Sequence, residues 1–494
     1  MLLSVTDNIL QQLSYIEGEP MLFSSGLFWV LFLVFLPIYA MLKQRRRQMT
    51  VFVIAFSLFF YYKSSGLFVL MLFGTSVMDW CMSRLMAATA VRWKRRLCLS
   101  VSLLTSLGIL GYFKYANFFM WNWQQMVGGN FEPLDIILPV GISFYTFQSV
   151  SYIVDVYKER VKPTDTWMDY AFFLTFFPAL VAGPIVRADY FLPQLQENRP
   201  ATRDMVYAGF WLILLGVVKK AIVADYLAQY NDLIFVVDPA TGVSGYSGFE
   251  TMMGIVGYTM QIYCDFSGYS DMAIGLALIM GFRLAQNFNF PYKSRNLTDF
   301  WRRWHISLSS WLRDYIYIPL GGNRKGTYRT YVNNFATMVI GGLWHGAAWK
   351  FVFWGAMHGL GLAVHKASKP YLVRIADTWF VKAFGWTLTM LFVMLLWVFF
   401  RADSFGDSVN IIVHAFTDFR LDYVAPFASV RWLWLVIIAV IIVAHALPTA
   451  AWRKAEAWFV RAPWIVKLVL FIVVVQLVLE LQGEDVAPFI YFQF

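Results

Sequence analysis

"FATMVIGGLWHGAAWKFVFWGAMHGLGLAV", residues 335–364, carries Lys350, His345 and His358 as its only ionisable side chains. A lipid-facing strand alternates apolar and polar residues, and this run does not. It reads as helix within a bilayer, whose hydrocarbon core of about 30 Å asks for roughly 20 apolar residues. Similar stretches recur near 22–42, 49–62, 67–86, 97–113, 134–154, 170–186, 205–222, 250–280, 383–400, 431–449 and 464–480. The expected fold is therefore all-α and polytopic, with roughly ten to twelve spans.

Composition agrees. The 494 residues are 59% hydrophobic, 19% aromatic and 14% charged, with a mean hydropathy of +0.57. A soluble domain is nearer a quarter charged and half apolar. No soluble block longer than a loop separates the runs, so residues 21–494 read as one membrane domain. No internal repeat is visible, which argues against inverted-repeat transporter folds. Residues 1–20 read as an N-terminal extension or interfacial segment, with Met21 as an alternative start to Met1. They lack the basic region and apolar core of a cleavable signal peptide. Cys81, Cys98 and Cys264 form neither a CxxC motif nor a ligand cluster, so no metal and no disulfide framework are expected. HEXXH, P-loop, GxSxG and GxGxxG motifs are absent, and no nucleic-acid partner is expected.

Basic loops stay cytoplasmic. "KQRRR" (43–47) and "RWKRR" (92–96) flank two expected spans, so both fit on the cytoplasmic side with the N-terminus outside. The largest basic block runs from Lys293 to Arg329. It holds eight Lys/Arg, among them Arg324 and Lys325, against Asp299 and Asp314, a net of +6 within the chain's +10. One reading is a loop resting on anionic headgroups. The other is a docking surface for an anionic donor, a phosphate-rich coenzyme or an acidic carrier protein.

Within this block, "NLTDFWRRWHISLSSWLRDYIYIPLGGNRKG" (296–326) reads as one amphipathic helix at the membrane surface. Asn296 or Thr298 caps it, Asp299 pairs with Arg303 one turn on, and Gly321-Gly322 ends it. Trp301, Trp304, Leu308, Leu312 and Tyr315 form its apolar stripe. His305 falls close to that stripe and faces inward. Such a histidine is ordinarily a hydrogen-bonded packing residue.

His345 is a stronger candidate. If the run enters the bilayer near Phe335, ten helical residues bring His345 about 15 Å deep, near the midplane. An ionisable residue there is costly and suggests function. Gly341, Gly342 and Gly346 allow close approach to the backbone, by a neighbouring helix or by a substrate. His358 reads as structural or as lining an access route. "YCDFSGYSDMAIG" (263–275) places Asp265 and Asp271 in an apolar run, as a proton or cation site or as a hydrogen-bonded knot between helices. Cys264 is a poor nucleophile candidate, because nothing basic adjoins it.

These segments, with "MLFSS" (21–25), "ILPVGISFYTFQSVSYIVDVYK" (137–158), "FFPALVAGPIVR" (176–187), "NFNFPYKSRNLTDFWRRWHISLSSWLRDYIYIPLGG" (287–322) and the terminal "FIYFQF", resemble the membrane-bound O-acyltransferases. The likeness is to the bacterial branch exemplified by alginate O-acetyltransferases. The resemblance implies helices ringed around a central tunnel, and it implies that His345 is the catalytic histidine and His305 a second one. It further implies a cytoplasmic donor, acetyl-CoA or an acyl carrier, with no permanently bound cofactor. The acceptor would be an exported polysaccharide or a periplasmic intermediate. The setting would be the bacterial inner membrane, with an extracytoplasmic acyltransferase partner from a polysaccharide export system. In that frame neutral His345 acts as general base, which desolvation favours. His305 orients the donor or stabilises developing charge. Trp304, Trp344, Gly342, Gly346, Asp265, Asp271, Arg324 and Lys325 are supporting or substrate-binding candidates. D-alanyl transfer from a carrier protein to cell-wall polymer is the alternative within the family. A proton- or cation-coupled transporter using Asp265 and Asp271 is the alternative outside it.

The charge of the basic block predicts its side of the membrane. With Lys325→Cys introduced, an impermeant thiol reagent applied to intact cells should leave this position unlabelled, and ready labelling would invert the topology.

Overall fold

The computed structural model describes residues 12–238, 242, 244–372, 378–481 and 489–490. Residues 1–11, which bear on the expected N-terminal extension, lie outside these, as do 491–494 of the terminal motif. Among the described residues all regular structure is helical. Among the described residues five helical runs are long and apolar enough to cross a bilayer: Arg46–Ala87, Arg92–Val127, Arg203–Phe235, Trp379–Arg401 and Trp464–Leu481. The pair Leu421–Val430 and Trp432–Ala446, bent by 90°, makes a sixth if counted as one span. Other expected spans are helical but shorter, broken or more polar. Gly26–Leu42 has 17 residues and Ile142–Tyr157 has 16. Expected span 170–186 divides into Trp167–Thr175 and Phe177–Leu180. The 32-residue helix Gly248–Ile279 carries Asp265 and Asp271.

Chain contacts divide the molecule into two compact units. The first comprises Met1–Phe210 and Met272–Ala285, the second Trp211–Asp271 and Gln286–Phe494. In the first unit a ladder of phenylalanines seals the interior. Phe28, Phe32 and Phe35 stack in sequence at 5.7 and 5.8 Å, and Phe177 packs edge-on to Phe35. Asp79 sits at the centre of a polar knot in the same unit and is wholly buried. Its carboxylate accepts hydrogen bonds from Ser102 Oγ, Ser149 Oγ (2.5 Å) and Tyr170 Oη (2.8 Å). One side chain thereby ties Val69–Ala87 to three further helices. Away from water, a carboxylate needs several donors, and this one has three.

The second unit buries charge differently. Lys219 and Lys220 occupy a π-helical turn, Val218–Ala224, where an extra residue per turn redirects side chains. A Cβ on Gly268 would lie 2.8 Å from Gly216 O, so the two backbones nearly touch there. That approach brings Lys219 to 2.6 Å from Asp271. Lys220 lies 2.7 Å from both Asp265 and Asp225. Asp265 also accepts the Ile490 N–H at 2.9 Å. The two aspartates are thus the knot between helices, each neutralised by a lysine. The proton- or cation-site reading loses the free carboxylates it needs.

The same unit holds an antiparallel helical hairpin, Thr327–His345 and Trp349–Leu372. The run expected as one span is divided at Gly346, which is extended (φ −167°) and stops the first helix. A Cβ on Gly342 would come within 2.2 Å of Phe351 O, and one on Gly355 within 2.3 Å of Met338 O. Only glycine permits this backbone approach.

Removing one partner of a buried ionic cluster strands the other. Lys220→Met leaves Asp225 and Asp265 facing each other and should destabilise the detergent-solubilised protein by about 3–5 kcal/mol. Asp271→Asn, at the more exposed pair, should cost less. Thermal unfolding of both variants checks the order, and an unchanged Tm for Lys220→Met would contradict the pairing.

Candidate active site

The helix expected over 296–326 begins as the sequence suggests. The Asn296 side chain accepts the Asp299 N–H at 2.8 Å, and Asp299 pairs with Arg303 at 2.9 Å. It then breaks. Leu297–Arg303 ends, His305 adopts the left-handed conformation (φ +44°), and Ile306–Leu312 follows, passing into a π turn at Arg313–Tyr317. The segment stays amphipathic across the break: Phe300, Trp304, His305, Leu308 and Leu312 are buried, while Arg302 and Arg313 are exposed. Backbone pairing with a preceding loop accounts for the break. Asn289 N donates to Arg303 O, and Ile306 N donates to Asn287 O, both at 2.9 Å.

His305 therefore projects from a kink. Its ring stands edge-on to Phe266 at 4.6 Å, with Phe288 at 6.4 Å and Trp344 at 5.9 Å. Its Nδ1 lies 3.1 Å from Asn287 Oδ1. This segment lies outside the long spanning helices, and burial pushes the His305 imidazole down to about 3, which keeps it neutral.

His345 ends the first arm of the hairpin and is 3% exposed. It does not lie midway along a continuous span, because the chain reverses immediately after it. Trp344 (4.9 Å), Trp354 (5.1 Å) and Phe400 (5.0 Å) enclose its ring. Trp344 thus touches both histidines, and the two imidazoles belong to one aromatic layer. Trp304 continues that layer, stacking against Phe300 and packing on Trp397 at 4.8 Å. Gly346 does not open space for a substrate. A Cβ there would fall 2.1 Å from the Phe351 ring, and at Gly342 the Phe351 carbonyl takes the space. Both glycines serve close packing of the hairpin that carries His345.

His358 is wholly buried and accepts the Trp301 indole N–H at Nδ1 (3.3 Å), between Phe300 and Trp354. That is the structural role. Arg324 and Lys325 lie exposed on the turn before the hairpin, which Asn333 pins by donating to Gly322 O at 2.9 Å. Asp271 belongs to a separate cavity of about 830 Å³, whose wall includes Lys219, Tyr263, Phe288, Arg303 and His445. Phe288 faces both this cavity and His305.

Sequence reasoning missed Asn287, Trp354, Phe400 and the two lysines. For Lys219 and Lys220 a signal existed, since an ionisable pair in an apolar run implies buried partners. Nothing local marks Asn287, whose contacts are all tertiary. Among the described residues no cluster of three or more His, Cys, Asp or Glu is arranged to hold a metal.

Comparisons with known proteins identify the family. Residues 100–405 match the family model described as MBOAT, membrane-bound O-acyltransferase family. A probable alginate O-acetylase of Pseudomonas putida is 38% identical over 96% of this chain and 100% of its own length. A peptidoglycan O-acetyltransferase of Helicobacter pylori is 38% identical over 72% of this chain and 71% of its own. A teichoic acid D-alanyltransferase of Bacillus subtilis is 30% identical over 50% and 65%. A family match over residues 100–405 and a relative 38% identical along its whole length show that the chain, all-helical among its described residues, belongs to the membrane-bound O-acyltransferase family.

Proposed function

We propose that this O-acyltransferase moves an acetyl group from a cytoplasmic donor, acetyl-CoA or an acyl carrier, to a hydroxyl of an exported polysaccharide or of a periplasmic intermediate. It would do so in the bacterial inner membrane, with an extracytoplasmic acyltransferase partner of an export system. The observation that carries this reading is the enclosure of His345 and His305 around Trp344, away from bulk water. The relatives named alginate O-acetylase and peptidoglycan O-acetyltransferase support acetyl as the group and a polysaccharide as acceptor. The D-alanyl alternative rests on a relative matched over only half of this chain.

The chemistry follows from the setting. Neutral His345 takes the proton of the acceptor hydroxyl as its oxygen attacks the thioester carbonyl. The new C–O bond forms, the C–S bond breaks, and the departing thiolate recovers the proton from the imidazolium. The imidazolium develops at the last residue of Thr327–His345, where the helix's carbonyl end favours positive charge. Trp354 and Phe400 exclude the water that would otherwise hydrolyse the thioester. Arg324 and Lys325 supply exposed charge that draws in an anionic donor.

Kinetics separate these roles. His345→Ala should lower kcat by about 10²–10⁴-fold while expression and melting temperature stay near wild type. A folded variant keeping more than a tenth of the activity would exclude the base role. Neutralising Arg324 and Lys325 should raise the donor KM and blunt its salt dependence without changing kcat, because exposed attraction is screened over about 8 Å. An unchanged KM would leave these residues as a topology signal alone.

A further inference from the structure

Asn287 is 1% exposed and spans the break that carries His305. Its carbonyl accepts the Ile306 N–H at 2.9 Å. Its side-chain Oδ1 receives the Ser307 N–H at 3.2 Å and the Ser307 hydroxyl at 2.9 Å. Its Nδ2 donates to Ser270 Oγ at 3.2 Å. A backbone N–H can only donate, so the amide atom facing Ser307 is the oxygen. The same oxygen lies 3.1 Å from His305 Nδ1. Two acceptors would repel at that distance, so Nδ1 carries the hydrogen and donates it. In a neutral imidazole the other nitrogen, Nε2, then holds the lone pair.

The contrast with His358 is informative. There the partner is an indole N–H, a donor only, so Nδ1 must accept and the hydrogen sits on Nε2. Two buried histidines of one unit are thus held in opposite tautomers by partners of opposite character. Only the one held by Asn287 also contacts Trp344, the ring it shares with His345.

We propose that Asn287 is a positioning residue that fixes His305 with its lone pair on Nε2, so that the second histidine of the centre accepts a hydrogen bond during acyl transfer and does not donate one to the oxyanion. This decides between the two roles open to His305 and rests on the reading of the aromatic layer as the reacting centre. A neutral imidazole without a hydrogen on Nε2 has nothing to offer a developing negative oxygen from that nitrogen. It can instead hold a hydroxyl or amide N–H of a substrate in line. The Asn287 contacts also offset the strain of a non-glycine residue at φ +44°, a conformation that persists only where its surroundings enforce it.

The test uses the full-length enzyme in detergent or proteoliposomes, with acetyl-CoA and an acceptor oligosaccharide, and compares three variants. Asn287→Asp keeps an acceptor for His305 and Ser307 but sets a carboxylate beside Nδ1–H, which makes the imidazole more basic. Turnover at pH 8 should stay within about tenfold of wild type, because the Nδ1 hydrogen keeps its acceptor. Asn287→Ala releases the tautomer and should lose at least about tenfold in kcat, with KM little changed; a misplaced imidazole proton can cost far more. Ser307→Ala removes a hydroxyl from the same oxygen without freeing His305 and should keep kcat near wild type.

A kcat loss in Asn287→Asp as large as that in Asn287→Ala would overturn the proposal, because an acceptor at this position would then not be what His305 needs. So would an Asn287→Ala loss matched by Ser307→Ala, or one explained by the folded fraction, because the break alone would then be at stake. Neither result touches the role of His345. Full activity in His305→Ala would remove the second histidine from the reaction, and with it both this proposal and the two-histidine centre.

Discussion

The backbone contact between Gly342 and Gly355 sets the position of everything around it. Their α-carbons face each other across the hairpin, and a methyl group on either would strike a carbonyl oxygen little more than 2 Å away. Because the two arms meet this closely, the first can stop at His345 and the chain can turn back within three residues. Trp354 on the returning arm then covers the His345 ring. The imidazole is held by the shape of the turn and by aromatic walls.

Burial without water governs the polar groups in both units. Asp79 is satisfied by hydroxyls, Asp265 and Asp271 by lysines, His305 by an amide and His358 by an indole N–H. Each solution has a different chemical consequence. Hydroxyls and lysines hold carboxylates in place and leave them little to do. An amide oxygen or an indole N–H selects an imidazole tautomer and so decides what the ring can do next. His305 and His358, similarly buried, are distinguished by these partners and not by their surroundings, which are aromatic in both cases.

Much of this was legible in the residues themselves. The apolar runs announced a helical membrane protein, and Asn296, Asp299 and Arg303 announced how one helix starts. The glycines beside His345 announced a close approach to the backbone, by a helix or by a substrate, and only the structure shows that a helix makes it. The break at His305 was not legible, because the apolar spacing from Trp301 to Leu312 runs through it unaltered. The loop at Asn287 and Asn289 takes over the hydrogen bonds that a continuous helix would have made, and that is a tertiary event. Lys219 and Lys220 were visible as charges in an apolar run, but their partners lie on another helix and depend on the π turn and on Gly268. Expected spans and long apolar helices fail to coincide everywhere for a related reason. Apolar residues line buried, broken helices as readily as lipid-facing ones, and composition does not separate the two.

The central claim is that His345 and His305 serve one reacting centre. A double-mutant cycle in single-turnover acyl transfer tests it, using His345→Ala, His305→Ala and the double variant, each confirmed to be folded. Groups that act as a unit are strongly non-additive. A shared centre predicts that the double variant is scarcely slower than the worse single one. Losses that multiply, leaving the double variant slower by the product of the two single effects, would contradict it.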